Sequence, residues 1–312
     1  MPQQLRKATD VTLTGADDSW SYMSRRYDDF TAQEQGLDGF EQRYRQIGKG
    51  AYQGHIESLR IGGTCLSRER ANLAMENEFR FPDNVMCLAF PTSAASQGTG
   101  SFGEVVPGRA VMPPSGRDNL FYAGRMMDLV ILTLPVDAEI RELCTGHSLV
   151  GASFTGWLCT VLDIVRNGYG RAELIRLLPD LIRDHLALLQ PESARPGPAT
   201  QKERAIFDEI NQACAMMMPE DMTVTGLAAR LDRPRADLRR ASLAISGQRL
   251  DDLLAARRMN DVYRALRHDK CDRSIGETAL DHGFMHGGRF SIAFREMFGI
   301  RPKDARRLGR ET

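Results

Sequence analysis

A stretch near the C-terminus, residues 274–307, constrains the fold of this chain more than any other. Its residues Phe290, Phe294 and Phe298 recur at intervals of four, which places an apolar stripe on one face of a helix. The helix before it ends at Gly283, because a residue free to take positive φ is typical there. This order of helix, glycine turn and helix predicts a helix-turn-helix, whose second helix can enter the major groove of DNA. A hairpin of two helices packed in a core is the alternative.

Residues 224–242 repeat the same plan upstream. Leu227 and Leu231 form an inner face, and Pro234 suits the first turn of the next helix. That helix exposes three arginines, Arg235, Arg239 and Arg240, while Leu238 faces inward. Between the two copies, residues 248–268 have a helical apolar spacing and predict a rod of roughly 30 Å at ~1.5 Å per residue. One turn of DNA is about 34 Å, so such a rod could hold two recognition helices in successive major grooves.

The region before residue 136 has a different character. Short apolar runs at 55–61, 85–90 and 128–134 alternate with turn-forming segments rich in Gly, Pro and Ser, which predicts strands of a sandwich or a barrel. Residues 1–37 are polar and acidic, and we expect a loosely ordered lead-in with one short helix. Residues 191–201 contain three Pro and one Gly and read as a semi-rigid linker. The predicted domains are therefore 1–190 and 202–312, joined by 191–201.

Two helices with apolar stripes are expected between the strands and the linker, at 154–166 and 171–189. Such stripes can pack into the core or form an interface with another molecule. A further helix is expected from residue 202, with Ile206, Ile210 and Ala213 packed and the following methionines filling gaps in the core.

Charge and composition narrow the class of protein. Residues 1–200 carry 20 Lys and Arg against 24 Asp and Glu, whereas residues 201–312 carry 21 against 17. A basic C-terminal module is typical of nucleic-acid binding. No apolar run approaches the ~18 residues of a membrane span, and the N-terminus does not look like a secretory signal. We therefore expect a cytoplasmic protein that does not enter the membrane.

Catalytic and metal-binding signatures are absent from the sequence. The histidines show no ligand spacing except the pair His282 and His286, and Gly283 interrupts the helix between them. Neither a nucleophile elbow nor a phosphate-binding loop is present. We expect no catalytic residues, no metal site, no cofactor and no enzymatic activity.

Residues 223–307 resemble the DNA-binding domain of the AraC/XylS family of bacterial transcription regulators. The resemblance is carried in the second half by Ile275, Ala279, Gly283, Phe284, Phe290, Phe294, Arg295, Phe298, Gly299, Pro302 and Arg306. In the first half it is carried by Leu227, Ala228, Leu231, Leu238, Arg240, Gly247, Leu254, Arg258 and Met259. The chain departs from the family pattern at Pro234, Ser242, Leu250 and Ile292, and glycines replace polar residues at 287 and 288. The second recognition helix therefore looks weak in base readout.

The resemblance implies an α+β protein of two domains. The N-terminal domain would be a cupin-like β-barrel with dimerisation helices, and the C-terminal domain would hold two helix-turn-helix motifs joined by a long helix. The implied partners are promoter DNA, RNA polymerase, a second copy of the chain and a small-molecule effector. The residues expected to bind DNA are Arg235, Ala236, Arg239, Arg240, His286, Gly287, Arg289, Ser291 and Arg295.

The N-terminal half is weakly similar, at 59–70 and 79–91, to regulators of ethanolamine and related amine catabolism. This similarity implies a small primary amine as effector and an activator of a catabolic operon. Five residues could supply an aromatic wall and a carboxylate for an ammonium group, namely Phe102, Glu104, Phe121, Tyr122 and Asp128. Two alternatives remain: an N-terminal domain that only dimerises or docks a protein partner, and a cupin enzyme fused to a DNA-binding module.

Overall fold

A computed structural model describes residues 10–15, 19–137, 147–169, 172–193, 199–268 and 273–310. In these ranges the chain folds into an N-terminal domain of β-strands and helices and a C-terminal helical domain, as the α+β prediction required. None of the helices in these ranges is both long enough and apolar enough to span a bilayer.

The strands follow one another through the N-terminal domain. They are β1 (Val11–Thr14), β2 (Trp20–Tyr27), β3 (Glu41–Gln46), β4 (Gly54–Ile61), β5 (Thr64–Ala71), β6 (Met75–Arg80), β7 (Val85–Pro91), β8 (Gly98–Gly100), β9 (Gly103–Val105), β10 (Arg109–Ala110), β11 (Asn119–Ala123), β12 (Met127–Pro135), β13 (His147–Val150) and β14 (Gln190–Ser193). The three apolar runs read as strands in the sequence are β4, β7 and β12, which confirms those predictions.

Two large antiparallel sheets face each other. The first sheet has the order β1-β2-β4-β5-β12-β7 and the second has the order β3-β6-β11-β8-β9, while β10-β13-β14 form a small third sheet. The closed barrel implied by the resemblance is wrong, because no ladder among the described residues joins the two large sheets into a ring. The cause is visible in the segment that would close it: β8, β9 and β10 have three, three and two residues and offer few ladder hydrogen bonds.

Among its described residues, the N-terminal domain has the helices α1 (Phe30–Gln33), α2 (Ala152–Arg166) and α3 (Ala172–Ala187). Helix α2 buries Leu158, Leu162 and Val165 in a core shared with Val130 and Leu132 of β12. The outer face of the first sheet is therefore covered by helices, and its inner face is left to line the space between the sheets.

The C-terminal domain is entirely helical in the ranges described. Its helices are α4 (Gln201–Met216), α5 (Val224–Leu231), α6 (Arg235–Ser246), α7 (Leu250–His268), α8 (Ile275–Asp281), α9 (Gly287–Phe298) and α10 (Pro302–Arg310). Helix α4 begins with a capping box of Thr200 and Glu203, and it buries Ile206, Ile210 and Ala213 as predicted.

Several local predictions are wrong. The expected lead-in contains β1 and β2, whose alternating burial was concealed by polar residues on both faces, although α1 confirms the one short helix expected there. The first residues of the expected linker, 191–193, pair with β13, and residues 194–198 lie outside the described part. Met217 packs against the core as predicted, but Met216 and Met218 are exposed, because α4 ends beside them and turns their side chains to solvent.

Candidate DNA-binding surface and effector cavity

The first helix-turn-helix is built by α5 and α6. The Thr223 side chain accepts a hydrogen bond from the Gly226 backbone and caps α5, and Asp232 ends that helix in the left-handed region with φ 47°. Leu227 and Leu238 are fully buried between the two helices. This packing fixes the direction of α6 and leaves its opposite face in solvent.

The four residues expected to bind DNA on α6 lie on that exposed face: Arg235, Ala236, Arg239 and Arg240. The Arg239 Nε donates to Asp251 at 3.2 Å, and the Arg240 guanidinium donates to Asp237 at 2.8 Å. Ion pairs this exposed contribute little to stability, so the guanidinium groups can exchange their carboxylate partners for DNA phosphates or base edges.

The second helix-turn-helix is built by α8 and α9. Ser274 and Glu277 form a capping box at the start of α8, and Gly283 takes φ 79° in the turn. Phe290 and Phe294 are buried, as the spacing predicted. Leu280, near the end of α8, is half exposed, because the helix ends one residue later.

The outer face of α9 differs chemically from that of α6. All five residues expected to bind DNA here are exposed, namely His286, Gly287, Arg289, Ser291 and Arg295. The Ser291 hydroxyl donates to the Gly287 carbonyl at 2.9 Å. Ile292 is 64% exposed in the middle of this face. The face therefore offers a phosphate two guanidinium groups but presents little hydrogen-bonding capacity at its centre.

Helix α7 separates the two motifs. Its 19 residues span about 28 Å at ~1.5 Å per residue, close to one turn of DNA. Leu250, Leu254 and Leu266 are buried along one side. The two recognition helices are thus mounted near the two ends of one rigid rod.

A cavity lies between the two large sheets of the N-terminal domain. It holds about 410 Å³ of empty space, including its open mouth. Four phenylalanines contribute to its wall, Phe40, Phe79, Phe102 and Phe121, together with aliphatic residues of both sheets. A mostly apolar wall with a few polar groups is typical of small-molecule sites.

Three polar side chains also line the cavity, Gln42, Glu69 and Asn77. Each has a buried oxygen, Gln42 Oε1, Glu69 Oε2 and Asn77 Oδ1, to which no described residue donates a hydrogen bond. Unsatisfied buried acceptors are rare in proteins because each costs desolvation free energy. The three acceptors can receive hydrogen bonds from a ligand in the cavity.

Glu69 is the only acidic residue among the described residues that line the cavity. Its other oxygen, Oε1, accepts hydrogen bonds from the Tyr44 hydroxyl and from Gln33 Nε2, the latter at 3.5 Å. Burial raises the pKa of Glu69 to about 7, and these hydrogen bonds offset only part of that effect. A cationic or hydrogen-bond-donating ligand would stabilise the ionised form.

The five residues expected to bind the effector fall in different places. Phe102 and Phe121 line the cavity. Tyr122 points to the other side of its strand, where it accepts a hydrogen bond from Arg257 at 2.9 Å, and Asp128 forms a bidentate pair with Arg68 at 2.8 and 2.9 Å. Glu104 is not part of the cavity wall.

Sequence reasoning missed Glu69 as the cavity carboxylate. Strand β5 reads Thr-Cys-Leu-Ser-Arg-Glu-Arg-Ala, with polar residues on both faces, so alternation alone does not reveal which face is buried. A charged residue flanked by two arginines reads as solvent-exposed. Glu69 is buried because the second large sheet faces this side of β5, and no local pattern in β5 reveals that packing.

Comparison with known proteins identifies the helical domain. A family model described as a helix-turn-helix domain matches residues 227–308. Among solved structures, the AraC-like transcriptional activator CuxR has 17% identity, with 78% of this chain and 96% of that chain covered, and a TM-score of 0.32. ToxT from Vibrio cholerae O395 has 13% identity, with 87% of this chain and 98% of that chain covered, and a TM-score of 0.32. Unsaturated fatty acid-bound ToxT from Vibrio cholerae strain SCE256 has 9% identity, with 87% of this chain and 96% of that chain covered, and a TM-score of 0.30. No curated protein matches this chain.

Proposed function

We propose that this chain is a DNA-binding transcription regulator of the AraC type, and that a small molecule in the N-terminal cavity controls how it binds DNA; the helix-turn-helix match over residues 227–308 supports the DNA-binding part. Helices α6 and α9 enter two successive major grooves and α7 sets their separation. The observation that carries this proposal is the joint presence, in one chain, of two exposed recognition helices and an apolar cavity with unsatisfied acceptors.

We propose that the effector is a primary amine with an apolar body. An ammonium group has three donors, and the cavity offers three unsatisfied acceptors, one of them a carboxylate. The phenylalanines supply a wall that suits both an apolar body and a cation. Binding would relieve the desolvation of Glu69 by giving it a charged partner.

A thermal-shift titration of the intact chain tests the effector class. We choose 2-phenylethylamine as the probe, with 2-phenylethanol as a neutral control of similar shape. The amine should raise the melting temperature of the wild type and have little effect on Glu69→Gln, which keeps the size of the side chain but removes its charge. Equal shifts with the alcohol and the amine would exclude a cationic effector.

The second candidate is a regulator whose N-terminal domain dimerises or docks a partner without sensing a metabolite. It is favoured by the exposed stripe on α3, where Leu174, Leu177 and Leu181 are 59%, 52% and 42% exposed at i, i+3 and i+7. Absence of any response to amines or other metabolites, with DNA binding intact, would favour this candidate over the first.

The same α3 stripe supports a homodimer in either case. A two-fold axis would place the stripe against its own copy, and a single helix face of this spacing is suited to packing on another helix. A dimer would present four recognition helices to the DNA. We further propose that it acts in the cytoplasm as an activator of a catabolic operon, in contact with RNA polymerase; transcription from a promoter with purified polymerase tests that role.

A further inference from the structure

The two faces of the second large sheet contact different parts of the molecule. Neighbouring residues of a strand point to opposite faces of a sheet. Thus Gln42 of β3 and Asn77 of β6 line the cavity, while their neighbours Arg43 and Glu76 bind residues of α7 on the other side. On β11, Phe121 lines the cavity and Tyr122 contacts Arg257 of α7. One sheet therefore separates the effector cavity from the rod that carries both DNA-binding motifs.

A buried ionic cluster holds the middle of α7 on this sheet. The Arg257 guanidinium is almost fully buried and donates to Glu76 at 3.0 Å, to the Tyr122 hydroxyl at 2.9 Å and to Asn211 at 2.6 Å. Arg45 of β3 donates to the same Glu76 at 2.6 Å. A buried charge that loses its partner is strongly destabilised, so these contacts form or break together and favour discrete arrangements.

The following turns of α7 hold β3 and α1. The Asn260 side chain donates to the Gln46 carbonyl and accepts from the Gln46 N–H, both at 2.8 Å. Arg264 donates to Glu34 at 3.0 Å, and Arg267 pairs with Asp29 at 2.5 Å. Close to the end of α9, the Gly50 N–H donates to the Met297 carbonyl at 3.0 Å, so the second motif is held by the same domain.

Tyr44 makes contacts on both sides of the second large sheet. Its hydroxyl donates to the cavity carboxylate Glu69. Its backbone carbonyl accepts from Arg264 of α7 at 2.5 Å, and its N–H donates to Glu34 at 2.6 Å. A ligand that draws the Glu69 carboxylate toward itself must change the hydrogen bond to Tyr44, and through the backbone of this residue it acts on the Arg264 contacts.

We propose that the sheet β3-β6-β11 transmits effector binding to DNA binding, with Tyr44 linking Glu69 in the cavity to Arg264 on α7. Occupation of the cavity changes the hydrogen bonds and ion pairs between the N-terminal domain and helices α7 and α9. The relative placement of the two recognition helices changes with it. This inference rests on the proposed function, because it takes the cavity to be the effector site, and it adds the route by which that site is coupled to the DNA-binding domain.

The test compares Tyr44→Phe with Tyr22→Phe in the intact chain. Both substitutions remove one buried hydroxyl that donates to a buried glutamate, but Tyr22 bonds Glu57 on the opposite face of the first sheet. For each protein, DNA affinity is measured by fluorescence anisotropy with and without 2-phenylethylamine, and amine affinity is measured by calorimetry. Coupling is the ratio of the two DNA dissociation constants, which typically lies between about 5 and 150 for coupled sites.

The expected result is a ratio of at least about fivefold for the wild type and Tyr22→Phe, and a ratio near one for Tyr44→Phe, which should still bind the amine. Amine binding with an unchanged ratio in Tyr44→Phe would overturn the route and leave the proposed function standing. No amine binding by the wild type would overturn the amine effector and the route together.

Amide hydrogen exchange of the ligand-free proteins supplies a readout that needs no effector. Glu69→Gln and Tyr44→Phe should change exchange within 257–267 of α7, and Tyr22→Phe should not. Unchanged exchange of α7 in both cavity-side variants would contradict the coupling whatever ligand the cavity takes.

Discussion

A buried carboxyl group without a cation is costly, and Glu69 is such a group. In the unfolded chain its pKa lies near the ordinary value of 4.5, and in the folded chain burial raises that pKa to about 7. Between these two values the folded state retains a proton that the unfolded state has lost. The free energy of unfolding contributed by this residue must therefore fall as pH rises from about 4.5 to about 7, and then level off.

The raised pKa leads to a prediction for Glu69→Gln. The stability of the wild type relative to the variant should decline over that pH interval, by about 3.5 kcal/mol if each unit of pKa shift corresponds to about 1.4 kcal/mol. Chemical denaturation at a series of pH values measures the difference, and Glu104→Gln serves as the control, since Glu104 lies outside the cavity wall. A difference that is flat with pH would mean that Glu69 is ionised in the folded state throughout.

At the DNA surface, Arg239 is the residue we expect to read a base. Replacing Arg239 with Ala should cost roughly 1–3 kcal/mol on a site selected from random DNA, and less on random DNA itself. Arg233→Ala is the matched control, because the Arg233 guanidinium is held by Glu209 at 2.5 and 2.8 Å. Anisotropy titrations give both values, and equal losses on the two DNAs would make Arg239 a phosphate contact.

At the scale of single elements, sequence periodicity was informative where one apolar stripe alone determined a helix. Leu227 on α5 and the phenylalanines of 290–298 on α9 are buried, as their spacing predicted. It was uninformative for the second large sheet, because β3 and β6 are covered on both faces and carry polar residues on each. Arg257 pairs with Glu76 and Arg264 pairs with Glu34. The partners are more than a hundred residues apart in the chain, so these pairs leave no local pattern in the sequence.

The two recognition helices should contribute unequally to base readout. Helix α6 exposes three arginines, whereas α9 begins with Gly287 and Gly288 and exposes Ile292 at its centre. A good bidentate base contact discriminates by about 1–3 kcal/mol, and glycine offers no side chain for one. Base substitutions across the selected site, scored by gel shift, should be penalised more strongly under α6. Sharper penalties under α9 would refute this expectation.

The dimer proposal is tested on α3. Leu177→Glu and Leu181→Glu place a charge in the exposed stripe and should convert a dimer to a monomer, as measured by sedimentation velocity. Met218→Glu is the control, because Met218 is 62% exposed and lies in the other domain. A wild type that sediments as a monomer at micromolar concentration would count against the dimer.

At the scale of the whole molecule, the zero net charge conceals a separation of charge between the two parts of the chain. DNA affinity that depends on Lys and Arg contacts to phosphates should fall steeply with salt. With about six phosphate contacts, affinity should drop about 10³-fold between 50 and 200 mM salt. Anisotropy titrations over this range measure the slope, and an affinity independent of salt would exclude binding of this type.

The most direct test of the central claim is a hydroxyl-radical footprint of the intact protein on a site selected from random DNA. Each protomer should protect two short segments on one face of the duplex, with centres about 10 base pairs apart, because α7, which links the two motifs, has a length close to one DNA turn. Addition of 2-phenylethylamine should alter the protection of at least one segment. A single protected segment per protomer, or no sequence-specific protection, would contradict the account.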